Sequence, residues 1–226
     1  MPLTAAAVER LAALGVTSDA ELDFWRRTCA ADGETFVWRY IEKLEADSVA
    51  YRRWFPQLCA FADDCRRARP ALELSPVESE QRRVLLTKMR EFTASGDRGA
   101  ILNRRPFQVA IVLVPPVGLA AAEEVFGDAG AVILTEAEWE RWRAEVYPQD
   151  AEPFSWYARV WWALHEGLPE DGEWLRREYP LPPGNEYWLV VAGEAWGSLA
   201  GGANHELWRW DGTRAEYVET YQIDTY

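Results

Sequence analysis

The chain has 226 residues, 49% of them apolar, and a formal charge of −13. That is ample material for a buried core in one large or two small domains, and 13 Trp, 9 Tyr and 8 Phe exclude a disordered polymer. The acidity argues against nucleic-acid binding, which needs cationic side chains to neutralise phosphates.

The opening stretch, MPLTAAAVERLAALG, resembles a secretory leader only superficially. Glu9 and Arg10 interrupt it and no basic segment precedes it, so export is not expected. Thr4 is placed to cap a short helix carrying Val8, Leu11 and Leu14, closed by Gly15. Ser18-Asp-Ala-Glu21 is a capping box for a second helix, with Leu22, Trp25 and Cys29 at helical spacing and Gly33 beyond its end. Val37, Tyr40, Ile41 and Leu44 form the stripe of a third. Helical character continues from residue 47 to residue 69, where Pro56 is expected either to kink the helix or to stand in the first turn of a new one. Ser75-Pro-Val-Glu78 is the clearest start signal, opening a helix through Val84, Leu85, Met89 and Phe92 that stops near Gly96.

After a polar connection over 95–106 the character changes. Phe107–Val114, FQVAIVLV, predicts a buried strand ended by two prolines; residues 118–127 predict a short helix and 131–134 a second strand. Thr135-Glu-Ala-Glu138 is another capping box. SWYARVWWALHEG, 155–167, is expected to be a helix with Trp156, Val160 and Ala163/Leu164 on one side. Residues 168–186 are proline-rich and read as loop. YWLVVA, 187–192, predicts a strand, and 205–223 a hairpin with Asp211-Gly212 in its turn. A four-residue loop, Asp211 to Arg214, pairs Arg209 with Glu216, Trp208 with Tyr217 and Leu207 with Val218. The two-residue alternative sets Arg209 against Arg214, so the longer loop is favoured, at the cost of Glu206 facing Glu219. The expected fold is α+β: a helical part over 1–95, packed with a mostly antiparallel sheet and flanking helices over 96–226, the two forming one continuous domain or two.

The glycine-rich loop inside Trp188–Gly212 poses the functional question. It holds no Lys, no basic residue occurs between Arg177 and Arg209, and Glu178, Glu186, Glu194 and Glu206 lie in that interval, so it is not a phosphate cradle. Neither the dinucleotide fingerprint nor the G-x-S-x-G spacing of an exposed nucleophile is present around Ser198. The two histidines, His165 and His205, each precede a glutamate but lack metal-site spacing, so no metal, cofactor or catalytic set is expected. Trp139/Trp142 and Trp208/Trp210 are neighbours on a helix and a strand face respectively; they could form a carbohydrate or peptide platform but suit a core better. The longest apolar runs fall short of the ~18–20 residues needed to span a bilayer, and three cysteines fit a reducing cytoplasm.

The charge is unevenly placed. Residues 1–105 carry 17 basic and 16 acidic side chains, whereas residues 106–226 carry 7 and 21. An acidic half rich in Trp and Tyr is suited to masking a basic protein partner, as an immunity protein or antitoxin masks a nuclease. The expected contacts are Glu194, Trp196, Glu206, Asp211 and Glu216, with Trp196 as anchor. The alternative is a small-molecule hydrolase or metal-dependent enzyme built on His165, His205 and nearby carboxylates.

Overall fold

A computed structural model of the chain describes residues 2–95, 107–145, 157–167, 186–196 and 202–223. Over these residues the order is α1 (Ala5–Ala13), α2 (Asp19–Asp32), α3 (Glu34–Ala68), α4 (Pro76–Ala94), β1 (Val109–Leu113), α5 (Leu119–Phe126), β2 (Val132–Leu134), α6 (Glu136–Glu145), β3 (Tyr157–Glu166), β4 (Tyr187–Trp196), β5 (Ala203–Trp210) and β6 (Ala215–Ile223). The fold is α+β.

Four of these helices, α1, α2, α4 and α6, begin where a side chain supplies a partner for their unbonded N–H groups. Ser18 with Glu21 and Ser75 with Glu78 close reciprocal capping boxes. At α6 the Thr135 Oγ1 accepts from Glu138 N (3.2 Å) while the Glu138 carboxylate accepts from Thr135 N (2.8 Å). α3 is one 35-residue helix with Pro56 inside it rather than at the start of another. Proline removes a backbone bond to Arg52, and in the same turn Gln57 Nε2 donates to the Arg53 carbonyl (2.9 Å).

The described strands form a single sheet in the order β2-β1-β3-β4-β5-β6. β1 runs parallel to both β2 and β3, and the remaining three pairings are antiparallel. Residues 157–166 are thus a central strand, not the helix that the spacing of Val160, Ala163 and Leu164 suggested. The segment satisfies two periodicities at once. Ala158, Val160 and Trp162 point to one face of the sheet, and Tyr157, Arg159 and Trp161 to the other. A strand covered on both faces can be apolar on both, which conceals its alternation.

Three cores result. α1, α2 and the first half of α3 enclose Leu11, Trp25, Cys29, Val37 and Ile41. The second half of α3, through Trp54, Leu58 and Ala62, joins α6 over one sheet face, where Trp139 and Trp142 stack at 5.2 Å and are 1% exposed. α4 and α5 cover the other face, packing Leu85, Met89, Phe92 and Phe126 on Val160, Trp162, Trp188 and Trp208. The paired tryptophans of α6 are therefore core and not a platform.

Side chains of α4 reach across the sheet at three places. Ala215, the first residue of β6, gives its N–H to Glu80 (2.8 Å) and takes a hydrogen bond from Arg83 on its carbonyl (2.9 Å). Gln81 donates to Glu166 (2.8 Å) and Lys88 is ion-paired with Glu206 (2.6 Å). At the end of α3 Arg66 meets Glu123 and Arg69, the residue just after the helix, meets Glu138, and from α4 Arg90 meets Glu124. The charge imbalance between the two halves of the sequence is thus partly answered inside the molecule, with basic residues of α3 and α4 facing carboxylates of the later elements.

Candidate functional site

The β5–β6 hairpin carries three of the expected contact residues. Its loop runs from Asp211 to Arg214, with Trp210 paired to Ala215. Asp211 Oδ1 accepts from the N–H groups of both Thr213 and Arg214 (2.8 Å each), and Gly212 supplies the left-handed φ of 97°. These backbone donors hold the exposed Asp211 carboxyl below its ordinary pKa. Arg209 faces Glu216 and Trp208 faces Tyr217, as the longer loop requires.

Beyond that point the pairing departs from expectation. A bulge between Leu207 and Trp208 leaves Val218 as the extra residue of β6, so Leu207 faces Glu219 and Glu206 faces Thr220. The two glutamates that a regular ladder would oppose are thereby separated, which removes a like-charge pair. Glu206 is 9% exposed and turned toward α4. Its Oε1 meets Lys88, and its Oε2 accepts from Trp208 Nε1 (3.2 Å). Burial pulls the Lys88 pKa down, but the hydrogen bonds it donates to Glu206 and Glu91 more than offset it and hold it above the ordinary lysine value.

Glu194 and Trp196 lie near the end of β4, opposite Val160 and Ala158. Glu194 N donates to Gly202 O (3.1 Å), and its half-buried carboxylate has Oε2 buried with no hydrogen-bond partner among the described residues. Because β4 and β5 are antiparallel, this end of the sheet is remote from the Asp211 turn. The five expected contacts therefore fall into an exposed pair, Asp211 and Glu216, an inward Glu206, and a separate pair at the end of β4.

Of the loop glycines, Gly197 and Gly201, like Ser198, lie outside the described residues. Gly193 has a definite task. It stands in β4 opposite Trp161, whose ring lies against it so closely that a Cβ would fall within 3.0 Å of three ring carbons. The Trp161 ring in turn carries the Arg159 guanidinium at 5.0 Å.

His165 and His205 share the sheet face that carries Trp161, on β3 and β5 with β4 between them. Burial and then the neighbouring His165 lower the pKa of His205 below 6.5. The unfolded chain therefore binds a proton that the folded chain refuses, so stability rises with pH across this window. We expect stability to fall as pH drops from about 7.5 through 6.5 and below, and His205→Gln to flatten that decline. Urea midpoints measured across the range test this; an unchanged slope in the variant would refute it. Among the described residues no group of three His, Cys, Asp or Glu could hold a metal ion, and no helix is long and apolar enough to cross a membrane.

The feature that sequence reasoning missed is the outer edge of the sheet. β6 is the last strand, and Glu216, Tyr217, Val218, Glu219 and Thr220 are all exposed along it, Tyr217 by 52% and Val218 by 47%. Five consecutive exposed residues mean that both faces of this edge strand are open to solvent, which alternation along the sequence does not announce. Comparison of the chain with protein-family models, curated proteins and solved structures finds no match.

Proposed function

We propose that the protein is a non-enzymatic binding protein that masks a basic protein partner, in the manner of an immunity protein or antitoxin, and that β6 and its turn are the contact surface. The observation that carries this reading is the sequence Glu216-Tyr217-Val218-Glu219 exposed on an outermost strand. An aromatic–aliphatic centre flanked by carboxylates supplies a water-excluding anchor and counter-charges for Arg and Lys of a partner. Many other carboxylates of this half are already engaged, Glu123, Glu124 and Glu138 with arginines and Glu206 with Lys88. Glu216 makes no ion pair among the described residues, and Asp211 extends the acidic edge into the turn. Glu194 and Trp196 would belong to a second contact at the other end of β4.

Affinity capture from native lysate at low and high salt, repeated with Glu216→Arg/Tyr217→Ser, tests the surface. A basic protein held by the native chain, released by salt and not captured by the variant is the expected result. Its association rate should fall steeply with ionic strength, because opposite charges steer the encounter. Equal capture by the variant, or association indifferent to salt, would refute the surface.

The enzyme reading draws on one observation, the electrostatic contact of His165 with His205 on a shared sheet face. Stoichiometric metal in purified native protein would favour it over masking.

A further inference from the structure

Where the C-terminal half of α4 passes over the sheet there is a cleft of about 170 Å³. Its floor is one row of residues in register across three strands, Trp162 of β3, Ala192 of β4 and Asn204 of β5. Ala192, between an indole and an amide, leaves the space empty. Glu206 stands in the next row, and Lys88, Glu91 and Phe92 of α4 form the opposite wall.

The composition of this cleft selects a ligand class. Lys88 is already held by Glu206 and Glu91, so an added cation would displace an existing ion pair. An added anion would meet the carboxylates of Glu91 and Glu206. A purely apolar ligand would bury this ion pair without new hydrogen bonds, at a cost in desolvation. A flat heteroaromatic ring lacks a platform, since Trp162 is stacked on Phe126 at 5.4 Å and receives Phe92 edge-on at 5.5 Å.

What the cleft does offer is hydrogen bonding of both kinds. An ammonium has three N–H donors, and Lys88 makes two ion pairs among the described residues, leaving one donor. The Glu206 carboxylate has acceptor positions beyond the two in use. A cavity of ~150 Å³ accepts a benzene ring, so this volume suits a single six-membered ring. We propose that the cleft between α4 and the β3–β4–β5 face is a binding site for a neutral cyclic polyol or monosaccharide. Lys88 donates to the ring hydroxyls, Glu206 and Glu91 accept from them, and the apolar edges of Trp162 and Phe92 shield its carbons.

Saturation-transfer NMR on the full chain tests this with glucose and myo-inositol as neutral probes, glucosamine and glucuronate as cationic and anionic counterparts, and adenine as the planar ring. The neutral rings are expected to bind roughly tenfold or more tightly than the other three. Ala192→Leu, which fills the floor, should weaken glucose binding by roughly tenfold. Glu91→Ala lies at the rim, where the native side chain is 57% exposed and folding is not at stake, and should weaken it severalfold. No transfer to either neutral probe, preference for a charged probe or adenine, or unchanged affinity in Glu91→Ala would overturn the proposal.

Discussion

Gly193→Ala is expected to destabilise the protein by about 3 kcal/mol, far more than an added methyl group would suggest. The new Cβ would occupy the space of the Trp161 ring, which cannot retreat without losing its contacts on the α3/α6 face and its stacking under Arg159. The decisive comparison uses Trp161→Ala as background. With the ring gone, Gly193→Ala should become neutral or stabilising by up to ~1 kcal/mol, because glycine is otherwise a poor strand residue. Urea unfolding of the four chains measures the coupling. An equal cost in both backgrounds would show that Gly193 is needed for another reason.

The ion pair between Lys88 and Glu206 should give the second large effect, and an asymmetric one. Their side chains are 17% and 11% exposed, so neither charge is well hydrated. Lys88→Met strips Glu206 of its counter-charge and leaves it, among the described residues, only the indole N–H of Trp208, a loss of about 3 kcal/mol. Glu206→Leu should cost less, since the flexible lysine keeps Glu91 at the rim. The double variant should recover most of what Lys88→Met loses, because two apolar side chains can fill the place of a buried pair. Denaturant midpoints decide the matter; a Lys88→Met cost no greater than that of Glu206→Leu would contradict this account.

What the sequence made legible is what short-range chemistry decides. The boxes at Ser18, Ser75 and Thr135 require only a hydroxyl and a carboxylate three residues apart, and all three form. The hairpin loop was likewise decided by which residues each register opposes, and Trp208 does meet Tyr217. Long-range order was not legible. Whether Tyr157–Glu166 became helix or strand depended on β1 being available beside it, and no local signal in Val160 or Trp162 reports that. The bulge at Val218 answers a conflict between Glu206 and Glu219 that the sequence shows, but its solution depends on α4 presenting Lys88 to one of them. Glu206 therefore read as an outward contact, whereas the fold uses it inward.

α3 has a mechanical consequence. Its first half is locked into the α1–α2 core and its second half into the sheet, with no linker between. A helix of this length is a rod of about 50 Å. Tilting it by ~5° about its midpoint would move either end by roughly 2 Å, a simple lever calculation on that length. A load applied to the N-terminal helices is thus passed toward β1 and β2 as displacement, reduced only by the bending that the missing backbone bond at Pro56 permits.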